Sequence, residues 1–132
     1  MSRANERGNA ITSAAQGGQR CEYCGIAQHE AAWSRFHIEH IVARQHGGGD
    51  DLENLTLACP HCNLHKGPNG TGIDPVTGQW VRLFNPRTDV WDEHFAVVGV
   101  EVVGLTDSGR VAVSLLKMNA PSAIDLRRKL IG

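Results

Sequence analysis

"HIEHIVARQHGGGDDLENLTLACPHCN", residues 37–63, decides the fold. It sets two histidines around a glutamate, runs through three glycines and a group of acids, and ends on a Cys-x-x-Cys followed by asparagine. The stretch is rich in metal-binding side chains and poor in apolar ones. A second Cys-x-x-Cys lies upstream in "CEYC", residues 21–24. Two residues between thiolates let both sulfurs reach one tetrahedral ion at about 2.3 Å. Cys21, Cys24, Cys59 and Cys62 are therefore expected to hold one structural zinc with no open coordination position. The alternative is four free or disulfide-bonded thiols. In the zinc reading, the metal clamps the base of an excursion from residue 25 to residue 58.

Composition favours such a staple. The chain has 132 residues, 41% hydrophobic and only 5% aromatic. That is a thin core for one small domain, and small domains with thin cores lean on metals or disulfides. The formal net charge is −1 and the pI near 6.6, which excludes a broadly basic nucleic-acid surface but not a local patch. No run approaches the roughly 18 apolar residues of a membrane-spanning helix, so no membrane partner is expected. The N-terminal segment "MSRANERGNAITSAAQGGQR" lacks the apolar centre of a secretory signal. A cytoplasmic location is the expectation, and reduced thiols there favour metal over disulfides.

The pattern along the chain predicts an α+β fold. Residues 1–20 are polar, with a weak helix near Ala4 to Ala15. Alternation from Phe36 to Val42 reads as a strand. "QHGGGDD" is a loop. Pro60 suits the first turn of a short helix over 60–66, and Gly67 suits its end. "GPNGTGIDPVTGQ" is a turn region, "WVRLF" at 80–84 a strand, and "NPRTDVWDEHF" a turn followed by a helical turn. "AVVGVEVVGLTDSGRVAVSLLKM" reads as two β-rich runs joined at "TDSGR" as a hairpin. A closing helix follows, with Asn119 as its N-cap and Asp125 facing Lys129. Trp33, Trp80 and Trp91 are expected as core or staple residues.

"CEYCG" followed by "FHIEHIVARQHGGGDDLENLTLACPHCNLHKG" resembles the HNH (ββα-metal) endonucleases. The resemblance covers about residues 21–67. It comprises two zinc knuckles, an acid–histidine pair on a strand, a Gly-rich loop, Asn-Leu, and Cys-Asn followed by Lys-Gly. It implies a zinc-stapled ββα-metal (His-Me finger) core over residues 21–70. Residues 71–132 would form a β-rich extension with a closing helix, packed on that core as one domain. It also implies hydrolysis of DNA phosphodiester bonds, leaving 5′-phosphate and 3′-hydroxyl ends. His40 falls on the general base, Asn54 on the residue that fixes the loop, and Asn63 on a metal ligand. Glu39 stands where the other ligand is more often aspartate. Mg²⁺ or Mn²⁺ suits such oxygen ligands.

His37 alternates onto the same strand face as Glu39. It would be either an added ligand, which would admit Ni²⁺, or a surface histidine near DNA. Lys66, Arg35 and Arg44 are candidate phosphate contacts, and Lys66 would otherwise offset the helix dipole. His61 and His65 face either DNA or water. Asp50, Asp51 and Glu53 read as solvated, with one aspartate capping a turn. Arg82, Arg87, Arg110, Arg127, Arg128 and Lys129 form either a second basic patch or ordinary surface charge. Two further readings stay open at this point. One is the nuclease subunit of a larger defence, phage or mobile-element complex that supplies targeting. The other is a zinc nucleic-acid-binding module of weak catalytic power. The sequence leaves the oligomeric state undetermined.

Overall fold

The computed structural model describes residues 20–131. The helix expected near Ala4 to Ala15 lies outside them. The chain divides between Asn69 and Gly70 into two compact units.

The first unit is a ββα arrangement behind a cysteine knuckle. The knuckle closes through Cys21 N–H on the Ile26 carbonyl (2.8 Å) and Gly25 N–H on the Cys21 carbonyl (2.9 Å). Strand β1 (His37–His40) pairs antiparallel with β2 (Leu55–Ala58), setting Glu39 opposite Thr56 and His40 opposite Leu55. β1 is shorter than the expected Phe36–Val42 because side chains take its terminal hydrogen bonds. Phe36 N–H goes to Gln28 Oε1 (2.9 Å) and Val42 N–H to Asn54 Oδ1 (2.8 Å). Helix α1 (Pro60–Lys66) has the expected bounds. Pro60 needs no hydrogen-bond partner at the first position, Cys59 Sγ accepts from Cys62 N–H, and Gly67 ends the helix.

The second unit holds two hairpins and three helices. β3 (Thr71–Ile73) pairs with β4 (Trp80–Arg82). The loop between them is organised by Asp74, which is fully buried. Its carboxylate accepts from Val76 N–H (3.0 Å) and Thr77 Oγ1 (3.1 Å). It also takes a two-pronged contact from Arg110 at 2.9 and 2.7 Å. A short helix α2 (Trp91–His94) leads into β5 (Phe95–Val98), which pairs with β6 (Glu101–Gly104). Helices α3 (Asp107–Leu115) and α4 (Pro121–Ile131) follow. Phe84, Phe95, Val102, Val111, Leu116 and Met118 are buried in this unit. Among the described residues no helix is long and apolar enough to cross a membrane.

Several expectations are corrected here. The hairpin does not turn at "TDSGR". It turns at Gly99–Val100, where Gly99 has φ +64° and supplies the left-handed conformation a two-residue turn needs. "TDSGR" instead starts α3, because Thr106 Oγ1 accepts from Gly109 N–H (3.1 Å) as an N-cap. Asn119 is not the cap of α4. Its amide pairs with both backbone groups of Val102 at 2.9 Å, imitating a strand neighbour. Asp125 meets Arg128 (3.3 Å) in place of the expected Lys129. Trp33 and Trp80 are 76% and 71% exposed, so neither is core; Trp91 is half-buried, its ring 5.0 Å from that of Phe95.

Arginines 82, 110 and 127 do not form a free basic patch. Arg82 pairs with Asp89 (2.6 and 3.0 Å), Arg110 with Asp74, and Arg127 donates to the Val100 and Met118 carbonyls. Arg87 is buried.

The Arg110 contact and the loop donors hold the Asp74 carboxyl below the ordinary carboxylate range. A carboxyl depressed in the folded state stabilises the fold above its unfolded value, about 3.9, and that contribution is lost as pH falls through the folded value. The wild type should therefore lose more stability on acidification below about pH 4 than Asp74→Asn, which starts lower at neutral pH. Urea unfolding of both proteins across that range checks this.

Candidate active site and metal centre

The four cysteine sulfurs lie within 4.8 Å of one another, and Cys24 Sγ stands 3.8 Å from Cys59 Sγ. Disulfide sulfurs would be about 2.05 Å apart. Tetrahedral bonds of about 2.3 Å place ligand sulfurs roughly 3.8 Å apart. The cluster is free thiol chemistry shaped for a metal ion. The sulfurs also cannot share charge easily alone. Hydrogen bonds from Cys21, Cys24 and Cys62 draw Cys59 far down, while Cys21 leads the neighbours that push Cys24 and Cys62 up. A divalent cation would remove that conflict. Glu22 ties the first knuckle to β2 as well, accepting from Thr56 Oγ1 (2.9 Å) and Leu57 N–H (3.0 Å).

Asn54 fixes the glycine loop. Its Oδ1 accepts from Val42 N–H, and its Nδ2 donates to the Val42 carbonyl (3.0 Å) and the Gly49 carbonyl (2.8 Å). The Asn54 carbonyl takes Ile41 N–H (2.8 Å). Gly48 lies so close beneath this clamp that a Cβ there would overlap the Val42 carbonyl oxygen and crowd Asn54 Nδ2. One residue beyond Gly49, Asp50 Oδ1 stands 2.7 Å from His40 Nε2 and 3.0 Å from Arg44 Nη2. These two partners, His40 first, hold the Asp50 carboxyl below its ordinary value.

Glu39, His40 and Asn63 line one open cleft of about 330 Å³, with Ile38, Ala43, Arg44, Gly67 and Pro68. Glu39 is 8% exposed, and its Oε1 has Lys66 Nζ at 3.5 Å and Tyr23 Oη at 3.4 Å. Both contacts are long for charge-assisted bonds. Burial outweighs the Lys66 ammonium and pushes the Glu39 carboxyl up to about 7. A buried carboxylate with distant partners, in a cleft that Asn63 also lines, fits a hard divalent cation.

Other expected residues fall elsewhere. Lys66 is 1% exposed, with its ammonium near Glu39 and the His40 carbonyl (3.3 Å). It is an internal cation rather than a surface group for phosphate. His37 and Arg35 are exposed and outside the cleft lining. Arg44 lines the cleft but is engaged by Asp50. His61 and His65 are half-buried and meet edge to face, with ring centroids 4.5 Å apart. Asp50, expected to be merely solvated or a turn cap, touches His40. Tyr23, which the sequence reading did not single out, is wholly buried against Glu39. An aromatic inside a metal knuckle is a signal that would have pointed to it.

The family model for HNH endonucleases matches residues 21–69. The chain carries an HNH endonuclease domain. The match spans both knuckles, the glycine loop and all of α1. No curated protein and no solved structure matches the chain.

The HNH domain should bind one zinc ion per chain. Cys59→Ser should lose it, and metal analysis together with loss of cooperative thermal unfolding checks that outcome. Asn54→Ala leaves the Val42 and Gly49 backbone groups without their side-chain partner. It should lower stability by about 1–3 kcal/mol while keeping the zinc.

Proposed function

We propose that the protein is a metal-dependent endonuclease that hydrolyses DNA phosphodiester bonds. The observation that carries this reading is the shared cleft of Glu39, His40 and Asn63 within an HNH domain. His40 would act as general base, since a neutral imidazole takes a proton from water near physiological pH. Glu39 and Asn63 would hold one divalent ion, Mg²⁺ or Mn²⁺, through a carboxylate and an amide oxygen. When bound, the ion would offset negative charge on the scissile phosphate and on the departing 3′ oxygen. Asn54 would keep the loop beside His40 in place. The four cysteines would hold zinc in a structural role. The products would be a 5′-phosphate and a 3′-hydroxyl.

A supporting role for a partner has its own observation. The net charge is −1, and Arg82, Arg110 and Arg127 are engaged internally. Weak intrinsic affinity for DNA fits targeting by a larger complex.

Supercoiled plasmid incubated with Mg²⁺, Mn²⁺ or Ni²⁺ should be nicked by the wild type. His40→Ala should lower the rate at least about a hundredfold. Nicked product should be resealed by ligase without prior phosphorylation. No cleavage above the His40→Ala background with any of the metals overturns the reading.

A further inference from the structure

We infer that Asp50 is a positioning residue that fixes the tautomer and orientation of His40. The catalytic half of this inference rests on the nuclease reading; the structural half does not. His40 Nε2 lies 2.7 Å from Asp50 Oδ1. A carboxylate can only accept, so a contact that short requires the proton on Nε2. Arg44 Nε lies 3.4 Å from the same nitrogen and would need it bare. At 3.4 Å that bond is at the edge of hydrogen-bonding range, and the carboxylate contact wins. Arg44 then acts on Asp50, through Nη2 at 3.0 Å. In the neutral ring a proton on Nε2 leaves Nδ1 with its lone pair, as the nitrogen able to take a proton from water. A carboxylate behind an imidazole plays this orienting part in acyl-transfer triads without accepting the proton itself.

The loop is built for this placement. Asn54 holds the Gly49 carbonyl immediately before Asp50, and Gly48 allows the backbone to approach Val42. The position of the acid is thus set by backbone bonds rather than by its own flexible side chain. Asp50 and Arg44 are each 70% exposed, against 25% for His40. The pair is therefore open to water before substrate covers the cleft, and burial by a nucleic acid would strengthen it.

The test compares wild type with Asp50→Ala and Asp50→Glu, using zinc content as the folding control. Nitrogen-15 spectra of the His40 ring, read at alkaline pH, should show a single Nε2–H tautomer in the wild type and a mixture in Asp50→Ala. An Nδ1–H tautomer in the wild type, or no change in Asp50→Ala, overturns the contact, and this readout needs no cleavage. In the nicking assay Asp50→Ala should lower kcat about tenfold or more with KM nearly unchanged. Asp50→Glu or added formate should restore part of it. Wild-type kcat in Asp50→Ala overturns the positioning role. Absence of cleavage in the wild type instead overturns the nuclease reading, and leaves the spectra to judge the contact.

Discussion

Four sulfur atoms converging within 4.8 Å are the constraint on which the first unit depends. They come from a knuckle at residues 21–24 and from the junction of β2 with α1. Between them runs an excursion with little apolar content. Closing such a loop costs entropy that grows only slowly with its length. A metal ion bound by the four sulfurs would offset it where a thin core cannot. Cys59 does a second job there. It is the N-cap of α1, so the ligand position and the start of the helix are fixed together. A thiolate at a helix N-terminus is also favoured by the dipole.

The glycine loop is ordered by a different device. Asn54 satisfies three backbone groups at once and ends β1 by taking over its next hydrogen bond. That choice sets the length of the strand and brings residue 50 back to residue 40. Three glycines in a row would otherwise leave the loop undirected. Here one of them admits the close approach, and an amide side chain supplies the direction.

The first unit was largely legible in the sequence, and the second much less so. Cys-x-x-Cys spacing, Pro60 and Gly67 each have one physical meaning, and the bounds of α1 followed from them. Glu39, His40 and Asn63 were named from a family pattern, and the structure brings them to one cleft. In residues 96–118 the β-branched residues suggest strand throughout, although the second half is a helix. Val and Ala serve either period, so the cap at Thr106 carried the decision, and "TDSG" answers to both a turn and a helix start. The arginines left two readings open for another reason. A formal charge says nothing of whether a buried carboxylate such as Asp74 already claims it. The contacts of Asp50 and Lys66 are likewise not legible because their partners lie 10 and 27 residues away along the chain, beyond any local pattern.

Glu39 links the structural centre to the cleft. Its two partners come from the elements that the cysteines join: Tyr23 sits between Cys21 and Cys24, and Lys66 ends the helix that Cys59 begins and Cys62 occupies. A carboxylate buried in this way is held only as firmly as those two groups are. If the knuckle and α1 separate, Tyr23 and Lys66 leave together, and water enters around Glu39. The extra methylene of glutamate over aspartate fits this arrangement, because the carboxylate must stay within reach of both partners while lining the cleft. The cysteine cluster is thus remote in role from the proposed phosphate chemistry, yet it would set the geometry of the carboxylate proposed to hold the divalent ion.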